Sequence, residues 1–379
     1  MKKLFALMLA ALMMLGVCSA LAEAAHTDEE VLNMAQEELK LARDVAFYPH
    51  AFEGDFDQFY VDFHKLSRKL RKPGITAEDY DQVVELTRKR EALTQIVDDP
   101  KSTVWDIWEG NMASEPKPTE GWEVAYDNPD FFPNLCPYLI EDQENVKGNV
   151  IVIGGGANTH RNNVVEGYPV AEFFNDNGYN AFVLQRRVLP YADVDAVLDL
   201  GRAIRYIRHY ADEKGIGNAD TIITCGFSAG GMNIMETLGR QYGHVTPDTI
   251  YPEYVCDEVD QESADMSVAI PIYGCVDTGY DLNANPNLPP IFTALGQNDE
   301  FFKESAGESL TWLLTLDTDV CYFLAPDSVH GVGLGTGTEN YVNGYTVMAD
   351  WTDLALDFLD TRLGYLPKEI DINAVANPM

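Results

Sequence analysis

The chain of 379 residues sets 61 Asp and Glu against 26 Lys and Arg, a formal charge of −35, so nucleic acid, anionic membrane surfaces and polyanionic substrates would all be repelled. A 46% apolar composition is enough for a large core, and the length exceeds one average domain. No internal repeat or low-complexity segment interrupts it. A soluble protein that meets a neutral ligand suits this balance.

The first residues, Met1-Lys2-Lys3, lead into an apolar run from Leu4 to Val17 and then Ala20-Leu21-Ala22. That pattern predicts a secretory signal peptide over 1–22, cut after a small-x-small triplet. The apolar run is shorter than the ~20 residues a bilayer span needs, and no later stretch is long enough. Cys18 raises a lipoprotein alternative, ranked second because Val17 is a poor residue before a lipidated cysteine. Without the leader the charge becomes two units more negative, and five cysteines remain: Cys136, Cys225, Cys256, Cys275 and Cys321. An odd number cannot pair completely, and no Cys-x-x-Cys or His/Cys cluster suggests a metal. Cys225 and Cys321 lie in strand-like runs and read as small buried hydrophobes.

From Thr27 to about Met112 the pattern is helical and predicts a helical N-terminal region over 23–112, ahead of a second region over 113–379. Thr27-Asp28-Glu29-Glu30 and Thr76-Ala77-Glu78-Asp79 both carry a hydroxyl cap with an acid three residues on. Val31, Met34, Ala35, Leu39 and Ala42, then Phe56, Phe59, Tyr60, Phe63, Leu66 and Leu70, keep helical spacing, so three helices are expected. His64, Lys65, Arg68, Lys69, Arg71 and Lys72 form the one basic cluster, read as a solvated helix C-terminus in preference to a binding patch. Trp105, Trp108 and Trp122 near the junction are read as core residues in preference to a sugar platform.

Asn111–Thr119, with Pro116 and Pro118 among polar residues, reads as a linker. Short strands are expected at Gly121–Tyr126 and Cys136–Ile140. The continuous apolar run Asn149–Ile153 then predicts a strand buried on both faces, as in the middle of a parallel sheet. Strands and helices alternate from there: helix 164–177, strand 180–184, helix 195–210, strand 221–225, a helix after Ser228, strands 266–272, 290–295 and 320–324, and a closing helix 346–363. This alternation predicts an α/β fold with a doubly wound, mostly parallel sheet and an N-terminal helical extension. Ligands of such sheets meet the loops beyond the strands' carboxyl ends.

The most informative stretch is Thr221-Ile-Ile-Thr-Cys-Gly226-Phe227-Ser228-Ala229-Gly230-Gly231. A β-branched run, Gly-x-Ser-x-Gly and then a helix-competent segment form the context of a nucleophile elbow, in which only very small residues fit at −2 and +2. Ser228 is the candidate nucleophile, and the Ala229 amide a candidate oxyanion donor at a helix N-terminus. A serine hydroxyl needs a positioned imidazole, and the imidazole an anionic orienter. His244 and His330 follow Ser228; His330, in Pro326-Asp327-Ser328-Val329-His330-Gly331 after a late strand, is the candidate base, while His244 reads as a surface loop residue. Asp299, closing the strand at 290–295, is the candidate orienter, with Asp277 and Glu300 as rivals. The turn Gly154-Gly155-Gly156-Ala157 stands where a second oxyanion donor is expected, so Gly155, Gly156 and Ala157 are assigned to it. It lacks the spacing of a nucleotide-cradling loop. Arg186-Arg187, after a strand, are read as structural ion-pair formers.

With Glu166-Gly-Tyr-Pro-Val-Ala171, Gly178-Tyr-Asn-Ala-Phe-Val-Leu184, Asp199, Ala203-Ile204-Arg205 and His330-Gly-Val-Gly-Leu-Gly335, these motifs resemble the acetylxylan or feruloyl esterase-like members of the α/β-hydrolase superfamily, over about Trp122–Leu363. The resemblance implies hydrolysis of acyl esters, often acetyl groups on plant polysaccharide, by the elbow serine without a cofactor. Ala157-Asn158 departs from it, standing where a bulky residue is usual, and the N-terminal helices have no counterpart in its short members. Two other functions are weighed beside this one: a serine exopeptidase on the same fold, and a catalytically silent glycan-binding or scaffold protein.

Overall fold

The computed structural model describes residues 26–70, 74–95, 103–112, 131–241, 246–326, 328–336 and 347–365. The expected signal peptide, the strand expected at Gly121–Tyr126, the linker beyond Met112, Trp122 and His244 lie outside the described residues. The chain divides into two compact units, one built from residues up to 46 and 53–94, the other from 47–52 and 95 onward.

The first unit contains, among the described residues, the three expected helices: α1 (Asp28–Phe47), α2 (Phe56–Leu70) and α3 (Tyr80–Ala92). Both sequence-marked starts cap as their residues require. The Thr27 N–H donates to Glu30 at 2.8 Å while the Glu30 N–H donates to Thr27 Oγ1 at 3.2 Å, and the Thr76 N–H donates to Asp79 at 2.8 Å. The apolar stripe of α2 buries Phe59, Tyr60, Phe63 and Leu66. Glu38 of α1, itself buried, accepts from Arg90 Nε at 2.7 Å and from Thr87 Oγ1 at 2.8 Å on α3, which satisfies the charge it takes out of water. In the basic cluster, Lys65 pairs with Asp62 at 3.3 Å and Lys69 with Asp79 at 3.4 Å. His64, expected in the solvated set, is buried instead against the Tyr60 ring, because it falls on the same helical face as Tyr60.

The second unit is built on an eight-stranded sheet: β1 (Trp105–Asp106), β2 (Asn134–Tyr138), β3 (Asn149–Ile153), β4 (Asn180–Gln185), β5 (Ile222–Phe227), β6 (Val268–Ile272), β7 (Ile291–Gly296) and β8 (Val320–Ala325). Its order is β1-β2-β4-β3-β5-β6-β7-β8. The β1/β2 and β2/β4 pairs are antiparallel and the rest parallel. Every residue of β3, β4, β5, β6 and β7 is buried, as strands covered on both faces must be. The crossovers include α4 (Asn163–Glu166), α5 (Tyr168–Asp176), α6 (Asp193–His209), α7 (Ala211–Lys214), α8 (Ala229–Gln241) and α9 (Ala306–Leu313), and α10 (Trp351–Arg362) follows the last strand.

One boundary expectation changes. Residues 103–112, assigned from sequence to the helical region, belong to the sheet unit: Trp105 pairs with Leu135 across β1/β2, and Ile107 and Trp108 are buried in its core. A two-residue strand is too short to show the period-2 alternation that would betray it. Trp108 donates from Nε1 to Asp199 at 2.7 Å, so it serves as a core residue, and half-buried Trp105 packs on Phe182. Asp199 also receives Arg187 through Nη2 at 2.7 Å and through the backbone N–H at 2.7 Å. Arg187 is thus the buried ion-pair former expected, and Arg186 donates to Gly154 O at 3.3 Å. Cys136, Cys225 and Cys275 are buried, Cys256 and Cys321 half-buried, and none of the five is in a disulfide. No helix among the described residues is long and apolar enough to cross a membrane.

Candidate active site

The carboxyl ends of β3 and β5 lie side by side, with Ile153 in register with Gly226. This brings the turn after β3 against the elbow after β5. Ser228 takes a left-handed backbone, φ 51°, a strained conformation for a residue with a Cβ. The strain is held by the surroundings: the Ser228 N–H donates to Ile272 O at 3.0 Å, and its carbonyl accepts from the Met232 N–H at 3.0 Å. The two flanking glycines are required by contact. A Cβ on Gly226 would lie 2.5 Å from Gly230 O, and one on Gly230 would lie 2.2 Å from Ile153 O.

Ser228, His330 and Asp299, far apart in sequence, are brought into one hydrogen-bonded line. Ser228 Oγ is 2.9 Å from His330 Nε2, and His330 Nδ1 is 2.7 Å from Asp299 Oδ2. Asp299 is fully buried, and its other oxygen accepts the N–H groups of Phe301 at 2.8 Å and Phe302 at 2.9 Å. A carboxylate held in this way fixes one tautomer of the imidazole, with Nδ1 donating to it and Nε2 facing the serine. The imidazole sits among aromatic rings, with Tyr273 and Phe301 each 4.8 Å away between centroids. Of the rival acids, Asp277 is exposed and accepts the Gly279 N–H at 2.8 Å, and Glu300 is exposed.

The turn after β3 carries positive φ at Gly156, Ala157 and Asn158, of 112°, 53° and 53°. A Cβ on Gly155 would stand 2.9 Å from Ser228 Cβ, so this turn touches the nucleophile. Ala229, the first residue of α8, is buried beside it. One sequence assignment needs correction: the Gly155 N–H donates to Glu166 Oε2 at 2.8 Å and is therefore occupied. Gly156 and Ala157 remain as the turn's candidate donors. Glu166 opens one of the motifs that carry the resemblance, Glu166–Ala171, but the sequence assigns it no role. Its only signal was its company, Val164-Val165 before it and Gly167-Tyr168-Pro169 after it. Among the described residues no cluster of His, Cys, Asp and Glu could hold a metal ion.

Solved structures share this arrangement of strands. An acetyl ester-xyloside bifunctional hydrolase from Caldicellulosiruptor lactoaceticus superposes with a TM-score of 0.54 at 22% identity, over 69% of this chain and 97% of its own. The chain has the α/β-hydrolase fold. A carboxylesterase from Lactobacillus plantarum likewise matches this chain with a TM-score of 0.50 at 20% identity, over 60% of this chain and 92% of its own. No family model matches the sequence, and no curated protein matches it. Within the fold, Ser228 takes the elbow after β5, Asp299 the loop after β7 and His330 the loop after β8, the chain order serine, acid, histidine typical of α/β hydrolases.

Proposed function

We propose that this protein is an exported serine hydrolase of carboxylic esters, acting on short acyl groups, acetyl above all, carried by a neutral alcohol or plant polysaccharide. The observation that carries the reading is the line from Ser228 Oγ through His330 to Asp299, at 2.9 and 2.7 Å. The fold shared with an acetyl ester-xyloside hydrolase and a carboxylesterase supports it, and the leader-like residues 1–22 support export. The acidity of the chain favours an uncharged substrate over a polyanion.

In this mechanism Ser228 Oγ attacks the ester carbonyl carbon while its proton passes to His330 Nε2, and Asp299 stabilises the resulting imidazolium. The carbonyl oxygen becomes an oxyanion held by the Ala229 amide and an amide of the Gly156–Ala157 turn. The carbon–oxygen bond to the alcohol breaks, and the alcohol leaves with the proton from Nε2. Water then attacks the acyl-serine, Nε2 takes its proton, and the acid departs with Ser228 Oγ reprotonated. The test is hydrolysis of a short-chain aryl acetate by the purified protein. Turnover that Ser228→Ala abolishes is expected; no turnover, or turnover that survives the substitution, contradicts the reading.

A further inference from the structure

The proton transfers proposed above leave one buried ionisable group beside the site unexplained. Glu166, at the end of α4, is almost wholly buried, and a carboxylate without water is costly unless donors replace its hydration. Its donors come from two separate segments of the site. Oε2 accepts the Gly155 N–H at 2.8 Å, and Oε1 accepts the Tyr273 hydroxyl at 2.7 Å. Tyr273 follows β6, and its hydroxyl oxygen in turn accepts the Gly333 N–H at 3.0 Å, three residues beyond His330. The Gly333 carbonyl is anchored by Trp351 Nε1 at 3.1 Å. The hydrogen bonds therefore run from the histidine loop, through a phenol and a carboxylate, to the turn beside the nucleophile.

We infer that Glu166 is a positioning residue that locks the oxyanion turn to the histidine loop through Gly155 and Tyr273. The choice of carboxylate follows from the donors. Donors converge on both of its oxygens, the Asn162 side chain among them, and glutamine would offer one acceptor while aiming its own N–H at the other donor. The turn needs such a tie, because Ala157 and Asn158 both hold left-handed backbone, which persists only where the surroundings over-determine it. Tying up the Gly155 amide also sets which amides of the turn face the reacting carbonyl. Burial pushes the Glu166 carboxyl upward, while its bonds from Tyr273 and Gly155 and the nearby His330 act in the opposite sense. The Tyr273 ring lies against the imidazole, so the same brace backs the general base.

The inference rests on the ester-hydrolase reading, and the experiment separates the two. Wild-type turnover of an aryl acetate, lost in Ser228→Ala, establishes the reading first; an inactive wild type refutes it, and the brace with it. In an active background, Glu166→Gln is expected to lower kcat about 10²-fold, the cost of a misplacement of about 1 Å at the reacting centre. KM should stay within about threefold, since the lost alignment belongs to the transition state. Tyr273→Phe, which removes one oxygen, should lower kcat about tenfold, and the double variant should be no slower than Glu166→Gln, because both cut one brace. A kcat within about threefold of wild type in both single variants, a loss confined to KM, or losses that multiply would overturn the inference. Should Glu166→Gln fail to fold, Tyr273→Phe decides by the same split between kcat and KM.

Discussion

Replacing Gly155 by alanine would put a Cβ 2.8 Å from Glu166 Oε2, 2.9 Å from Phe227 O and 2.9 Å from Ser228 Cβ. Carbon makes ordinary contacts at about 3.5–4.0 Å, so something must move by about 0.5–1 Å. Phe227 O is backbone at the end of a central strand, and Glu166 is held by the Gly155 amide and the Tyr273 hydroxyl. The displacement therefore falls partly on Ser228 and on the turn that faces it. Misplacement on that scale at a reacting centre costs about 10²-fold in kcat, and overpacking costs about 1–3 kcal/mol in stability. The assay is kcat on an aryl acetate beside the urea midpoint, with Gly307→Ala as control. At Gly307, inside α9, a Cβ meets nothing within 4 Å, so the control should keep its rate and gain up to about 1 kcal/mol from better helix propensity. A Gly155→Ala protein with kcat within about twofold of wild type and an unchanged midpoint would refute the packing argument.

Asp299→Asn should cut kcat by about 10⁴-fold through loss of the imidazole tautomer, while Asp277→Asn stays near normal; the reverse pattern in steady-state kinetics would move the orienting role to Asp277. Asp257, half-buried, is desolvated, which raises its pKa, yet the hydrogen bonds and charge of Arg202 outweigh this and hold it at about 2, below its ordinary 3.8. A lowered carboxylate stabilises the fold above its unfolded value and loses that contribution as pH falls through its folded value. Asp257→Asn should therefore destabilise by about 1 kcal/mol at pH 7, after discounting for solvent screening, and the gap to wild type should close between about pH 4 and pH 2 in urea melts. A gap that stays constant over this range would remove Arg202 as the cause.

The core of the sheet was legible because its strands announce themselves in two ways. The runs at 149–153 and 221–225 are β-branched and apolar without alternation, which only a doubly covered strand tolerates. Each ends in glycine, and the Gly-x-Ser-x-Gly spacing marks Gly226 and Gly230 even though the contact that requires Gly230, with Ile153 O, is tertiary. Asp299 and Asp277 both follow a strand, so position alone left them rivals; only the structure, with the carboxylate of Asp299 against the imidazole and Asp277 on its own turn, separates them. What stayed hidden depends on long-range partners. Trp105–Asp106 gains strand character only from Leu135 and Asn134 across the sheet. The Gly155 amide looked free because the acid that occupies it sits on a separate helix. His64 read as part of a basic face because a cluster of Lys and Arg on one helix outweighed its position on the apolar stripe.

The central claim is that the hydroxyl of Ser228 is made nucleophilic by His330, and covalent trapping tests it most directly. Intact mass measurement after exposure to a fluorophosphonate, followed by peptide mapping, should find one adduct per chain, on Ser228, with little adduct in His330→Ala. A protein that hydrolyses aryl acetates yet carries the adduct elsewhere, or none, would contradict the account.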